Sequence, residues 1–381
     1  MKYKDRHKLI EAAERIAAQN VLAADRTSPM VFPQTLSEAF FDKTILITGG
    51  TGSIGREIVR QVLSYRPRVA RVYSRNEHNQ FAMRQEFGDR SDLRFLIGDV
   101  RDRERLMRAC EDVQVVFHAA ALKHVEVCEY NPFEAVKTNV LGTQNVVEAA
   151  LDYNMELLVG ISTDKAVNPT NTMGATKLLA ERVVLSASRY KGDRRTRFCV
   201  IRFGNVLASR GSAIPLFIRQ IRDGGPITLT HREMRRFFMS IPQAVELALK
   251  ATLHARGGEI FILKMPVLRI SDLITALIRI YAPRFGRKPE DIEIREVGMK
   301  PGEKLHEALM TAEEALTATE HEDYFVVEPL SPAPAEAAAR PHQGYDSASQ
   351  ALLNVEEIIK MIEGHKLIEV FLQGIAEAPA A

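Results

Sequence analysis

Between Lys43 and Phe203, short apolar or β-branched runs alternate with stretches whose apolar positions recur at helical spacing. Runs at Lys43–Thr48, Val69–Ser74, Leu93–Ile97, Val113–His118, Leu157–Ser162 and Phe198–Phe203 predict six strands. Ile54–Tyr65, Glu77–Phe87, Pro132–Tyr153 and Asn171–Arg189 predict the principal helices between and after them. Such alternation means βαβ units and a parallel sheet with helices on both faces, so the expected fold is α/β, a doubly wound Rossmann sheet. After Asn205 the alternation loosens around Gly224-Gly225-Pro226, Gly257-Gly258 and Pro301-Gly302. A smaller lobe closing over the carboxyl edge of the sheet is expected there, with a return to the main sheet near Glu259–Leu263. The division is therefore 1–40, an amphipathic helix over Lys4–Ala24 and a linker; 41–205, the doubly wound domain; 206–330, mainly the smaller lobe; and 331–381, a linker and a last helix over Val355–Gly364. A Pro/Ala-rich stretch covers 329–342.

Composition narrows the function classes. The chain has 381 residues, 51 Lys+Arg and 49 Asp+Glu, a formal net charge of +2. That balance argues against a dedicated nucleic-acid binder. Three cysteines, Cys110, Cys128 and Cys199, have no short spacing, which excludes a disulfide scaffold and a cysteine zinc site and suits a reducing cytoplasm. His118 and His124 have no ligand-like partner spacing, so both read as structural and no metal is expected. No apolar run reaches the ~18 residues of a membrane span. The charged N-terminus lacks the apolar core of a secretory signal, and a cytoplasmic location is expected.

The strongest local signal is Thr48-Gly49-Gly50-Thr51-Gly52-Ser53-Ile54-Gly55, between an apolar strand and a helix. Gly49 suits a tight turn, Gly52 lets backbone approach a pyrophosphate, and Gly55 allows close helix–sheet packing, with phosphate at the helix N-terminus. The second strand ends in Ser74-Arg75 rather than an acidic residue. A hydroxyl and a guanidinium suit a 2′-phosphate, so NADP is favoured and NAD remains the alternative. Asp99 is placed to accept from an adenine amino group and Val100 to cover the ring, against the plainer reading of Asp99 as a turn cap. Ala119 and Ala120 end the fourth strand with small side chains that let a ribose lie close.

The fifth strand ends in Ser162-Thr163-Asp164-Lys165, and the next helix carries Met173-Gly174-Ala175-Thr176-Lys177. Chemistry in open α/β sheets gathers outside the carboxyl ends of the strands. The plainer reading of Asp164 and Lys165 is a loop salt bridge. With TGGTGSIG, FHAAALKHVEVCEYNPFEAVKTNVLGTQNV, STDKAVNPTNTMGATK, RFGNVLASRGSAIPLF, RRFFM and MKPGEKLHEALM, the chain from Thr48 to about Met310 resembles the extended short-chain dehydrogenase/reductases. Within them it is most similar to the polysaccharide-biosynthesis branch that contains UDP-N-acetylglucosamine 4,6-dehydratases.

That resemblance implies a tightly held, recycled nicotinamide cofactor, a UDP-sugar substrate and a homo-oligomer. It implies oxidation at carbon 4, loss of water across carbons 5 and 6, and hydride return to carbon 6. Thr163 would bond the 4-hydroxyl. Lys165 is the candidate base at carbon 5, which requires a depressed pKa, and Asp164 the candidate acid at the 6-hydroxyl. An ion pair between them would oppose that depression, so the roles are exchangeable. Lys177 would hold the nicotinamide ribose, and Asn139 matches a helix Asn that supports the site. Asn205 and Arg236 would grip the diphosphate, Glu303 the uridine ribose, and Lys123 lies near the same cleft. One departure stands out: Met173 occupies the place of the superfamily's usual Tyr. A thioether cannot transfer a proton, and in this branch Met goes with retention at carbon 5. A sugar-nucleotide epimerase and a catalytically silent NADP-binding regulator are the alternatives.

Overall fold

The computed structural model describes residues 32–207, 209, 211–329 and 344–364. The expected helix over Lys4–Ala24 lies outside the described residues, as does all but the first residue of the stretch 329–342.

Seven parallel strands build the main sheet: β1 (Thr44–Thr48), β2 (Val69–Ser74), β3 (Leu93–Ile97), β4 (Val115–His118), β5 (Leu157–Thr163), β6 (Arg197–Phe203) and β7 (Ile260–Leu263). Two antiparallel strands, β8 (Ala318–Glu320) and β9 (Tyr324–Val327), complete it in the order β8-β9-β7-β6-β5-β4-β1-β2-β3. The inner strands are buried on both faces, β1 and β6 along their whole length. This is why they read as unbroken apolar runs rather than alternating ones. The strand order reverses between β1 and β4, whose ends lie level, Thr48 beside His118. A crevice therefore opens beyond their carboxyl ends.

Two helices position the site. Helix α1 (Ser53–Leu63) follows the glycine-rich loop, and α2 (Thr172–Tyr190) follows β5. The Asn171 side chain caps α2 by accepting from the Gly174 N–H.

Two expectations need correction. The helix expected over Pro132–Tyr153 is not uniform: an α-turn, Pro132–Ala135, runs into a π-helical turn, Val136–Leu141, and then α-helix, Gly142–Asp152. The chain rejoins the main sheet at β7 (Ile260–Leu263), and the helix before it is already in the main core. Helix Ile241–Thr252 already packs in the main core through Ile241, Ala244, Val245 and Leu249, because its apolar face meets α1. Finally, the last helix, Val355–Glu363, is no appendage. Ile358 and Ile362 belong to the separate core of the small lobe, with Phe217, Ile221, Leu273 and Leu277. The small lobe is thus assembled from discontinuous segments of the second half of the chain.

Candidate active site

The loop between β1 and α1 takes the shape its glycines allow. Gly49 has φ +64°, and a Cβ there would stand 2.7 Å from the Ala120 nitrogen, so the loops after β1 and β4 touch backbone to backbone. Ser53 and Ile54 open α1, and its N-cap residue, Gly52, has no side chain to cap it. Its first N–H groups and its dipole remain suited to an anion. Thr48 does not face the crevice: its buried Oγ1 lies 2.7 Å from His118 Nδ1, and His118 Nε2 lies 2.9 Å from Thr143 Oγ1. Burial, with Lys177 nearby, pushes the His118 imidazole down to about 3. It is a neutral strut.

At the far end of the crevice, Ser74 Oγ accepts from Gln80 Nε2. Arg75 is exposed, with its guanidinium 3.5 Å from Asp99 Oδ2. Asp99 is bound more closely by Arg101, through the main-chain N–H at 2.9 Å and the guanidinium at 2.7 Å. Arg101 adds a second cation there that the sequence reading did not single out. Val100 is buried against Gly142 and backs the crevice. Asn139 sits within the π-helical turn, a feature often found at functional sites. Its amide is used internally: Oδ1 accepts from Leu122 N–H, and Nδ2 donates to Leu122 O and Thr176 Oγ1. Asn139 therefore clamps the loop after β4 onto α2 and leaves no donor for a cofactor.

The carboxyl end of β5 carries the chemistry. Thr163, Asp164 and Lys165 lie where β5 turns into a single 3₁₀ turn, Asp164–Ala166. Gly174 lets α2 close onto this turn, since a Cβ there would meet the Lys165 carbonyl oxygen at 2.3 Å. Asp164 is fully buried. Its Oδ1 accepts from Thr163 Oγ1 at 2.8 Å and from Lys165 Nζ at 3.0 Å, while its Oδ2 has no hydrogen-bond partner among the described residues. Lys165 Nζ also stands 3.7 Å from Glu307 Oε1. Burial alone would depress the Lys165 ammonium, but Asp164 and Glu307 together hold it above its ordinary value. The direction is opposite to the depression that a base at Lys165 requires, because a second carboxylate from a distant segment joins the first.

Met173 and Lys177 lie one turn apart on α2, and Glu181 one turn further. Met173 is buried against Cys128 and Ala135. Lys177 Nζ donates to the Ile161 carbonyl at 2.6 Å, and burial draws it down to about 8. Behind it, Glu181 pairs with Arg202 at 2.7 Å and accepts from Ser162 Oγ. Arg202 also bonds Glu314 at 2.9 Å.

The small lobe presents the remaining candidates. Asn205 is half-buried, and its Oδ1 lacks a partner among the described residues. Arg236 differs from expectation: its guanidinium donates to the carbonyls of Arg235, Leu305 and Lys304. It lies in a buried strand beside these main-chain acceptors, so it braces the 304–305 segment here and is not free toward a diphosphate. Glu303 is half-buried and accepts from the Lys300 N–H. Its loop is fastened to the main domain, with Gly302 O accepting from Thr170 and Asn171, and Lys300 bridging to Glu126. Lys123 is exposed beyond the end of β4. Among the described residues no group of His, Cys, Asp and Glu could hold a metal ion, and no helix is long and apolar enough to cross a membrane.

Sheet order, glycine loop and the residues after β5 together define the extended short-chain dehydrogenase/reductase fold. Residues 45–329 match the family described as polysaccharide biosynthesis protein, and the chain belongs to that family. A Methanocaldococcus jannaschii protein named only as an uncharacterized membrane protein is 56% identical over 330 residues, 87% of this chain and 98% of its own. The Campylobacter jejuni UDP-N-acetylglucosamine 4,6-dehydratase (inverting) is 42% identical, over 76% of this chain and 84% of its own. A UDP-glucose 4-epimerase of Rickettsia rickettsii is also 42% identical, over 75% and 83%. Among solved structures, Pen from Bacillus thuringiensis superposes with TM-score 0.79 at 46% identity, covering 86% of this chain and 98% of that one. The family thus includes sugar-nucleotide dehydratases and epimerases, and this chain belongs with them.

Proposed function

We propose that the protein is a nicotinamide-dependent UDP-N-acetylglucosamine 4,6-dehydratase that retains configuration at carbon 5. The observation that carries this reading is the buried Asp164–Lys165 pair at the end of β5, joined by Glu307. An epimerase needs only to remove and restore hydrogen at carbon 4. Elimination needs in addition an acceptor for the carbon 5 proton and a donor for the departing 6-hydroxyl, and this site holds one group of each kind.

The residues present fit a dinucleotide. The uncapped start of α1 with Gly52, Ser53 and Ile54 would receive the pyrophosphate, Ala119 and Ala120 would line the ribose, and Lys177 would hold the nicotinamide ribose. Arg75 and Arg101, both beside Asp99, favour NADP over NAD. The bound cofactor would supply reversible hydride transfer. Thr163 Oγ1 is the candidate to accept a hydrogen bond from the 4-hydroxyl of the sugar, whose proton passes to solvent as carbon 4 is oxidised and is matched by the solvent proton that recharges Lys165 at the end of the cycle. Once carbon 4 is a ketone, the carbon 5 proton is acidic, and Asp164 takes it on its unpartnered Oδ2. Lys165, held as an ammonium, gives a proton to the 6-hydroxyl, which leaves as water. This exchanges the roles first assigned to the two residues. Met173 offers no proton, so carbon 5 recovers its proton from the side that lost it, with retention. The net change is loss of one water, and the cofactor returns to its starting redox state. Asn205 and Glu303 would meet the diphosphate and the uridine ribose, and a homo-oligomer is the expected assembly.

The test is incubation with UDP-N-acetylglucosamine in deuterated water, followed by NMR. A 4-keto-6-deoxy product with deuterium at carbon 5 and retained configuration is expected. A carbon 4 epimer without solvent deuterium would establish the epimerase reading instead.

A further inference from the structure

Glu307 enters the site from the opposite side of the cleft. It directly precedes strand Ala308–Met310, which pairs antiparallel with Tyr345–Asp346. Ser347 fixes its main chain from both directions. The Glu307 N–H donates to Ser347 Oγ at 3.0 Å, and the Ser347 N–H donates to Glu307 O at 2.8 Å. The carboxylate is 3% exposed. Oε1 lies 3.7 Å from Lys165 Nζ and Oε2 lies 3.6 Å from Lys304 Nζ, and Oε2 has no hydrogen-bond partner among the described residues. Lys304 is itself held elsewhere, donating to the Val167 carbonyl at 2.8 Å.

A buried carboxylate with so few hydrogen bonds is costly unless nearby charge compensates it. Its compensation comes from two lysines, one of them at the reacting end of β5. The charged groups around Lys165 are Asp164 and Glu307 on one side of the balance and Arg236, with Lys304 behind Glu307, on the other. Asp164 alone would draw the ammonium wholly onto its own carboxylate. Glu307 pulls from across the cleft and shares it.

We propose that Glu307 is a positioning residue of the dehydration, holding the Lys165 ammonium between two carboxylates so that it stays charged and Asp164 keeps an oxygen free to accept a proton. The proposal rests on the reading of Lys165 as proton donor. It also couples the site to the segment around Ser347, which fixes Glu307.

The test compares wild type with Glu307→Gln and Glu307→Asp in two assays. In the first, kcat and KM for UDP-N-acetylglucosamine are measured against pH. Glu307→Gln is expected to lower kcat about tenfold or more with KM little changed, and to move the alkaline limb of kcat about one unit toward lower pH. Glu307→Asp is expected to restore part of both. In the second, Lys165 is acetylated competitively across the alkaline range and read by mass spectrometry, without turnover. Its reactivity is expected to rise at lower pH in Glu307→Gln. An unmoved limb together with unmoved Lys165 reactivity overturns the proposal, as does a shift of equal size in both variants. A labelling shift in a protein that never dehydrates the sugar would leave Glu307 holding Lys165 and reject the proposed function instead. Should Glu307→Gln fail to fold, Glu307→Asp labelling decides, because lengthening the contact must still raise Lys165 reactivity.

Discussion

At the scale of single residues, Asp164 and Lys165 do different work although they are neighbours. Asp164 is fully enclosed with one oxygen saturated and one free, and Lys165 is pinned between carboxylates. Lys165→Ala is expected to abolish dehydration while leaving cofactor binding intact, because the proposed nucleotide contacts are made by Lys177 and α1. Turnover above about 1% of wild type would refute the donor role. His118 gives a prediction about stability. Its folded pKa is about 3 against an ordinary 6.5, so the unfolded chain binds the extra proton first. Its contribution is complete above pH 6.5 and is lost as pH falls toward 3, by at most about 1.4 kcal/mol per pH unit. Urea unfolding between pH 5 and 6.5 should therefore fall less steeply for His118→Gln than for wild type, and equal slopes would show that the imidazole charges in place. Thr163, Asp164, Lys165 and Lys177 were legible in the sequence because a short strand–turn–helix segment carries all four. Glu307 was not, since about 140 residues separate it from Lys165 and only the tertiary fold brings them together. Its sole signal was a charge immediately before the apolar Ala308–Met310. Arg236 misled for the same reason: its residue type suits phosphate, but the carbonyls that occupy it come from residues 304 and 305.

At the scale of elements, the site depends on how closely α2 lies on the turn after β5. Gly174 has the Lys165 carbonyl oxygen where a Cβ would be, at 2.3 Å, and backbone cannot step aside as a flexible side chain can. Gly174→Ala should push the first turn of α2 away from Asp164–Ala166. The expected cost is about 1–3 kcal/mol in unfolding free energy, with a fall in kcat larger than that loss of folded protein explains. A variant with full activity and unchanged stability would show that this contact does not set the site. The strands and α2 were legible nearly to the residue because their apolar runs are bounded by glycine and by caps such as Asn171. The π-helical turn at Val136–Leu141 was not, because one extra residue per turn leaves the apolar periodicity of the whole helix almost unchanged.

At the scale of the whole molecule, the two halves of the chain are joined behind the site by buried charge. Arg202 on β6 is 1% exposed. It bonds Glu181 on α2, Glu314 in the short helix Ala312–Ala315, and the Leu309 carbonyl. Glu181 sits one turn beyond Lys177 and favours that lysine's charged form, so the network reaches the proposed cofactor side as well. Leu309 belongs to the strand that Glu307 precedes, so it braces the other wall too. Arg202→Met would leave two carboxylates, 2% and 11% exposed, without their cation. Breaking such a pair costs about 3–5 kcal/mol, whereas replacing all its members by uncharged groups of similar volume can be nearly neutral. Arg202→Met is therefore expected to lower the urea midpoint sharply, and the triple variant Arg202→Met, Glu181→Gln, Glu314→Gln to recover much of the loss. Recovery of stability without recovery of activity is the expected pair of results, because the triple variant restores packing but removes the charge beside Lys177. If Arg202→Met costs less than about 1 kcal/mol, the network does not join the halves. The segment that carries Leu309 and Glu314 must then be held to the main body by its apolar contacts alone, through Leu309, Met310 and Ala315.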